Sequence, residues 1–357
     1  MMSEAKPSPY DVVIAGASFA GLAAAQRLSG RVLLLDREPL GEGVTSACAA
    51  PVSLVQGMGA AGAIQEVHDR LIMHTPHRES EWPLPEAFCT FDYRRFCQLA
   101  FERTAAEFRK TTAVRRSASS VLTGEGEIPA RFVIDATGWR AVLAGGSTRA
   151  PRLLKAFGIE SEVAGGVGPG LHFYFLPEVR DGYAWAFPCG GAVRFGVLSY
   201  LGRTKLWDGL VRFMARFGLR PGPMHGGYLA TGFRDPVREN VFLVGDASGQ
   251  CLPLTGEGIR TAILAGYRVG DVLQQVLDGR ISLAEAASDY RQFVADARRR
   301  YRALLWGNLA LLAMPLRVTG AAAAYVARPG PLSVFMRHYL GIFAPPTPPA
   351  GDFRAWD

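Results

Sequence analysis

Residues 10–36, YDVVIAGASFAGLAAAQRLSGRVLLLD, decide the fold. YDVVIAG (10–16) is a short apolar run closed by glycine, the pattern of a buried parallel strand entering a tight turn. SFAGLAAAQRLS (18–29) places small and apolar residues at helical spacing, and RVLLLD (31–36) is a second buried strand ending on an acid. Strand, glycine turn, helix and strand in so short a stretch make a βαβ unit. The turn from Gly16 to Gly21 reads G-A-S-F-A-G, with Ser18 in place of the usual middle glycine. Gly16 permits the tight turn, Gly21 permits close helix–strand packing, and Ser18 is small enough to let a phosphate approach the backbone. The helix opens at Phe19 and Ala20, whose free N–H groups suit a pyrophosphate. Asp36 lies 20 residues after Gly16, where a carboxylate accepts ribose hydroxyls, and Arg37 follows it. An acid there disfavours a 2′-phosphate, so the expected nucleotide is FAD or NAD.

Farther along, RFVIDATG (131–138) is another apolar strand running into Gly138. The stretch 40–63 reads as a small-residue loop and 95–108 as a helix. GLHFYFLP (170–177), YAWAFP (183–188) and AVRFGVLS (192–199) are aromatic segments separated by short turns, which predicts an antiparallel sheet. A helix follows over 205–217 with one apolar stripe. ENVFLVGDASG (239–249) returns to the buried-strand pattern, a helix runs over 258–277, and the tail is helical from Ser282 until the loose APPTPPAG at 344–351. The expected fold is α/β: a discontinuous Rossmann-type nucleotide domain (8–150 and 236–280), an inserted antiparallel-sheet substrate domain (151–235) and C-terminal helices (281–345).

The 357 residues are 49% hydrophobic and 20% charged, which excludes wholesale disorder. The net charge of +7 rests on thirty-five arginines and four lysines, with no basic run longer than 298–300. No groove-reading motif accompanies it, so no nucleic-acid partner is expected. Cys48, Cys89, Cys97, Cys189 and Cys251 are scattered without CxxC spacing, against a disulfide framework or zinc site. The first ten residues lack the apolar core of a signal peptide. The apolar stretch 303–316 is shorter than the ~20 residues of a spanning helix. A cytoplasmic protein is expected, in peripheral contact with the inner face of the membrane. Leu304, Leu305, Trp306, Leu309, Leu311 and Leu312 follow Arg298, Arg299, Arg300 and Arg302. Tyr325, Phe335, Tyr339 and Phe343 stand among Arg328 and Arg337, the mixture an interfacial helix uses.

A second signature separates FAD from NAD. In VFLVGDASGQCLPLTGEGIRTAILAG (241–266), Asp246 follows Gly245 at a strand terminus, placed to hold ribityl hydroxyls that NAD lacks. Gly256, Gly258 and Ile259 put N–H groups at a helix start, where the positive end stabilises charge at N1/O2 of reduced flavin. The segment resembles the GD motif of the large FAD-dependent family that includes glutathione-reductase-like and hydroxylase-like flavoproteins. VIDATG (133–138) is similar to that family's third signature, a strand passing beside the pyrophosphate.

The resemblance then narrows. GDASGQCLPLTGEGIRTAI (245–263) looks like the GDAAG…NPxTGEGI pattern of the geranylgeranyl reductase family. DGYAWAFP (181–188), followed by a strand with Gly196, is similar to its YxWxFP motif. The resemblance covers residues 10 to about 275. It implies reduction of isolated double bonds in the polyprenyl chains of archaeal lipids, chlorophyll side chains or quinones. It also implies a cavity beneath the flavin walled by Tyr183, Trp185 and Phe187, which alternate along one strand face. Two departures stand out. The loop after Asp36 lacks the family's Cys-Gly-Gly run, and Cys48 sits among Ser46, Ala47, Ala49 and Ala50. The familiar arginine before the helix phenylalanine is replaced by Tyr93, leaving Arg94 or Arg95 as cofactor contacts.

The expected mechanism is hydride delivery from flavin N5 to one carbon of a C=C bond and protonation of the other, with Tyr183, His172 and Cys48 as proton-donor candidates. No second nucleotide fingerprint appears, so the electron source is either NAD(P)H or a reduced protein such as ferredoxin. Three enzymatic rivals share these motifs. Flavin-dependent halogenases need a lysine in the N-terminal half of the cavity, and none lies between Lys6 and Lys110. Hydroxylases share the fold but position aromatic substrates with polar groups, whereas the middle sheet is apolar. A non-redox polyene cyclase also fits an apolar cavity. Outside catalysis, an electron-carrier or substrate-binding flavoprotein is the remaining class.

Overall fold

A computed structural model describes residues 8–145 and 154–344. The chain begins β1 (Tyr10–Ala15), α1 (Phe19–Ala25), β2 (Val32–Asp36), β3 (Ala49–Pro51) and α2 (Val52–Gly57). A long hairpin, β4 (Ile64–Thr75) and β5 (Arg78–Phe91), leads to α3 (Tyr93–Phe101), β6 (Glu107–Lys110), β7 (Ala113–Arg116), β8 (Ser120–Thr123) and β9 (Gly126–Asp135). Then come β10 (Leu154–Ala164), β11 (Leu171–Tyr174), β12 (Gly182–Pro188), β13 (Ala192–Ser199), α4 (Leu206–Ala215), β14 (Met224–Thr231), β15 (Val237–Arg238) and β16 (Val241–Leu243). Four helices close the chain: α5 (Ile259–Leu277), α6 (Leu283–Ala313), α7 (Leu316–Val326) and α8 (Pro329–Leu340).

Two sheets result. The first has the order β15-β16-β9-β1-β2-β6, with β16, β9, β1, β2 and β6 mutually parallel and a β7–β8 flap joined to β9. Its central strands bury Val12–Ala15, Val32–Leu35 and Phe132–Asp135, as a parallel sheet covered on both faces must. The second sheet runs β14-β10-β13-β12-β11-β4-β5-β3 and is antiparallel except where β11 meets β4. Helix α4 covers its outer face, with Leu210, Phe213 and Met214 against Ala184, Ala186, Phe195 and Val197. Helix α5 lies close against α1: at Gly266 a Cβ would stand 2.5 Å from the Ala20 carbonyl oxygen, so only glycine allows this approach.

Helix α6 starts on a capping box between Ser282 and Glu285 and buries Tyr290 against the first sheet, its hydroxyl donating to the Leu243 carbonyl at 2.9 Å. Helix α7 crosses the β4–β5 hairpin, where the Trp82 indole donates to the Ala323 carbonyl at 3.1 Å. The buried Arg260 guanidinium donates to the carbonyls of Tyr339, Leu340 and Ile342, closing the C-terminal end of α8 onto the start of α5.

Three sequence expectations change. The helix expected over 95–108 ends at Phe101, and Glu107–Lys110 instead pair with β2 as an edge strand. The loop expected over 40–63 contains β3 and α2. The second sheet draws β3, β4 and β5 from residues 49–91, a stretch assigned by sequence to the nucleotide domain. The proposed boundary at 150 and the APPTPPAG segment after Ala344 lie outside the described residues.

Candidate active site

One cavity of about 1090 Å³ lies between the two sheets and beneath the C-terminal helices. Ordinary small-molecule sites occupy ~300–1,000 Å³, so this one has room for a cofactor and a substrate together.

Its first end is the β1–α1 turn. Gly16 sits at φ +109°, and a Cβ there would lie 2.2 Å from the Ala136 carbonyl oxygen. At Gly21 a Cβ would meet the Gly16 carbonyl oxygen at 1.9 Å. Neither position tolerates a side chain, and the resulting trough is lined by Gly16, Ser18, Phe19, Ala20 and Gly21. Asp36 accepts from the Ala17 amide at 2.8 Å and the Glu38 amide at 3.1 Å, so its carboxylate also ties the turn together as it faces the cavity beside Arg37. The Ser18 hydroxyl accepts from Tyr93 at 3.0 Å. Gly138 borders the trough at φ +73°. Its neighbour Asp135 turns inward, accepting from Thr137, Leu143 and Ala144, and holds the loop rather than a ligand.

The cavity continues past Gly245, Asp246, Gly256, Gly258 and Ile259. Burial pushes the Asp246 carboxyl up to about 6, against the lowering effect of the Ala230 amide, which donates to it at 3.0 Å, and of Arg234. A carboxylate so poorly matched in the free protein has capacity left for two further donors, which suits ribityl hydroxyls.

Beyond this lies the aromatic wall. Tyr183, Trp185 and Phe187 alternate on the inner face of β12 and Phe173 joins them from β11. The Tyr183 hydroxyl donates to the Thr255 carbonyl, and burial pushes its phenol strongly up. Cys48 lines the cavity in a left-handed conformation at φ +51°, its Sγ 3.3 Å from the Ser46 carbonyl oxygen. Burial pushes that thiol up as well, so it is held protonated and is a weak acid. Arg194 fixes this loop by donating to the Ala47 and Phe91 carbonyls at 3.2 and 3.1 Å.

Two sequence-predicted residues are elsewhere. Arg94 is exposed, pairs with Glu42 and does not border the cavity; Tyr93 occupies the nearby wall instead. His172 faces the opposite side of the sheet, because strand alternation puts it with Tyr174 rather than with Phe173. There it lies 3.0 Å from His74 and contributes no wall to the cavity.

No family model matches the chain. Among curated relatives, digeranylgeranylglycerophospholipid reductase 3 of Methanosphaera stadtmanae is 25% identical over 335 residues, 80% of this chain and 82% of that protein. The corresponding reductase 1 of Methanothermobacter thermautotrophicus is 27% identical over 340 residues, 82% and 84% of the two chains. The reductase of Methanococcus vannielii is 30% identical over 134 residues, 34% of this chain and 33% of that one. Among solved structures, a geranylgeranyl bacteriochlorophyll reductase-like protein from Thermoplasma acidophilum superimposes with a TM-score of 0.80 at 16% identity, covering 94% of this chain and 100% of that one. The chain is a geranylgeranyl-reductase-like FAD-dependent oxidoreductase. A flavin-dependent brominase shares the fold with a TM-score of 0.71 at 16% identity, over 94% of this chain and 95% of its own. A probable FAD-dependent monooxygenase of Pseudomonas aeruginosa does so with a TM-score of 0.63 at 18% identity, over 94% and 100%.

In this geranylgeranyl-reductase-like enzyme the structure adds cavity residues that sequence reasoning missed. Leu71, Met73, Trp82 and Leu84 enter from the hairpin, whose alternation is masked by half-exposed polar residues. Glu160 and His225 enter from β10 and β14. Ala310, Met314, Ala322 and Val326 form a rim at the α6–α7 elbow. No helix among the described residues is long and apolar enough to cross a membrane.

Proposed function

We propose that this chain reduces C=C bonds of a polyprenyl or similarly apolar lipid, using FAD held between the β1–α1 turn and Asp246. One observation carries the reading: the side-chain-intolerant Gly16–Gly21 trough and the Tyr183, Trp185, Phe187 wall belong to a single cavity, whose far rim is apolar. FAD supplies hydride chemistry when bound. The chain's own residues supply the rest. Asp246 accepts from the ribityl chain, the N–H groups at Gly258 and Ile259 favour an anionic flavin, and the aromatic wall orients an extended hydrocarbon and excludes water. The proposed nucleotide unit is the first sheet with α1 and α5, and the substrate unit is the second sheet. The electron donor is proposed to be NAD(P)H or a reduced protein, and steady-state assays with each separate the two.

The test against oxygen chemistry is direct, since a monooxygenase shares this fold. Anaerobically reduced enzyme is expected to be reoxidised by geranylgeraniol, with the saturated product detected by mass spectrometry. Turnover that requires oxygen and adds an oxygen atom makes the enzyme a hydroxylase. A halogenase is disfavoured because, among the described residues, no lysine borders the cavity.

The same reading places the enzyme in the cytoplasm, at an anionic membrane face. Around the elbow rim, Trp306 is 70% exposed and Leu309, Met314, Val318 and Tyr325 are exposed with it. Residues 297–344 carry seven arginines and no acid. Apolar side chains beside uncompensated cations suit anionic headgroups, and a lipid substrate would enter at the rim. The interfacial residues differ from the sequence expectation in part: Leu304, Tyr339 and Phe343 are buried, and Phe335 packs against Trp82. Co-sedimentation with phosphatidylglycerol vesicles at low salt is expected. The double variant Trp306→Ser with Met314→Ser should reduce it about tenfold, and retention of the parent protein in the supernatant at low salt overturns the membrane assignment.

A further inference from the structure

At the free edge of the second sheet, three aromatic rings meet two cations. Phe157 on β10 stands opposite Tyr228 on β14, the last strand of that sheet, and their ring centroids lie 4.6 Å apart. Trp139, in the turn that follows β9, packs on Tyr228 at 5.0 Å. The Lys155 ammonium lies 4.3 Å and the Arg140 guanidinium 5.0 Å from the centre of the Trp139 ring. Strand alternation puts Phe157 and Tyr228 on the face of the sheet away from Trp185, because Glu160, not Phe157, shares the row of Trp185. They border the cavity at its open edge, together with Trp139, Arg140 and Gly226. Tyr228 is 49% exposed, and Gly226, the neighbouring residue on its face of β14, has no side chain to cover it. The support is fixed from below, where the buried Arg234 donates to the Trp139 carbonyl at 2.9 Å.

The two cations rest on an aromatic face, a weaker hold than a charge-assisted hydrogen bond to phosphate. Among the described residues neither pairs with a carboxylate, and the sequence from 136 to 159 contains no acid. The cluster therefore offers a hydrated stacking surface beside uncompensated positive charge. A ligand that uses both is a planar heteroaromatic ring carrying phosphate, that is, a nucleotide. A lipid headgroup has no ring to stack, and a stable protein partner needs a contact of about 1,000 Å² or more, far wider than three rings at a cavity mouth.

We propose that this platform binds a pyridine dinucleotide, with Tyr228 stacking on a base and Arg140 and Lys155 pairing with phosphate. The proposal rests on the reading above only in its need for an electron donor, and it selects the nucleotide over a reduced protein. A ligand two nucleotides long, anchored at this edge, reaches round β14 toward the cavity interior.

Equilibrium dialysis of the FAD-loaded protein against NADP⁺ or NAD⁺ tests this with no lipid substrate present. One of the two is expected to bind, more weakly as salt rises. Tyr228→Leu should weaken that binding about tenfold, and Arg140→Gln combined with Lys155→Gln about tenfold or more. Tyr228→Phe, which keeps a ring, should retain the parent affinity. Melting temperature and FAD occupancy are expected to match the parent in all three. Absence of binding, parent affinity in Tyr228→Leu, or ATP bound as tightly as the better dinucleotide overturns the proposal. Loss of FAD from the Arg140→Gln, Lys155→Gln protein also overturns it, by returning these residues to the flavin site. Failure of geranylgeraniol to reoxidise the enzyme removes the substrate reading and leaves the dialysis result standing.

Discussion

Purified Asp246→Asn protein is expected to be colourless where the parent is yellow. Each hydrogen bond to a charged acceptor contributes about 1.5–3 kcal/mol, so losing two should weaken FAD binding roughly 100-fold or more. The sign of the stability change separates this from unfolding. The folded-state value of about 6 lies above the ordinary carboxylate range, so the folded chain disfavours the ionised form. That penalty is fully present above pH 6 and is relieved as pH falls through it. Asp246→Asn apoprotein should therefore melt higher than parent apoprotein at pH 7, while FAD affinity of the parent falls as pH drops below 6. Fluorescence titration with FAD and thermal denaturation of the apo forms check both. Asp278→Asn is the control, since its carboxylate accepts from Gln274 and Arg280 at the surface. Equal flavin occupancy in the two variants removes Asp246 from the cofactor site.

Gly196→Val is expected to abolish turnover and destabilise the protein. Its first added carbon falls inside the Trp185 ring, 1.9 Å from Cζ2, so the indole must leave β13 and release Glu160. Overpacking of this kind costs about 1–3 kcal/mol, and the orphaned carboxylate adds to it. Pairing Gly196→Val with Trp185→Leu should recover most of the melting temperature but not the activity, because the aromatic wall then lacks its indole. Recovery of both would reduce Trp185 to packing.

The βαβ unit was legible because its strands are buried on both faces and read as unbroken apolar runs. The aromatic strands were legible through the alternation of Tyr183, Trp185 and Phe187, and that same alternation, applied to β11, would have turned His172 away from the cavity. The hairpin was not legible. IQEVHDRLIMHT (64–75) mixes charge into half-exposed positions, and Pro83 and Pro85 punctuate its partner. Helix α3 was read too long because Phe101 and Phe108 keep apolar spacing. They instead meet edge to face at 6.2 Å across the turn that ends the helix. Glu160 was missed because a charged residue within a strand reads as a solvent face, and only the register opposite Gly196 and His225 reveals its burial.

The alternation of the chain between its two sheets constrains how the protein emerges from a ribosome. β1 and β2 are made first, yet their sheet gains β9 only at residues 126–135 and β16 only at 241–243. The second sheet begins with β3 and lacks its last strand until 224–231. For most of synthesis both sheets thus present unpaired edges, and neither can be finished before about two-thirds of the chain exists. Completion depends on contacts distant in sequence, which predicts slow folding after release and a need for chaperone protection of the nascent chain.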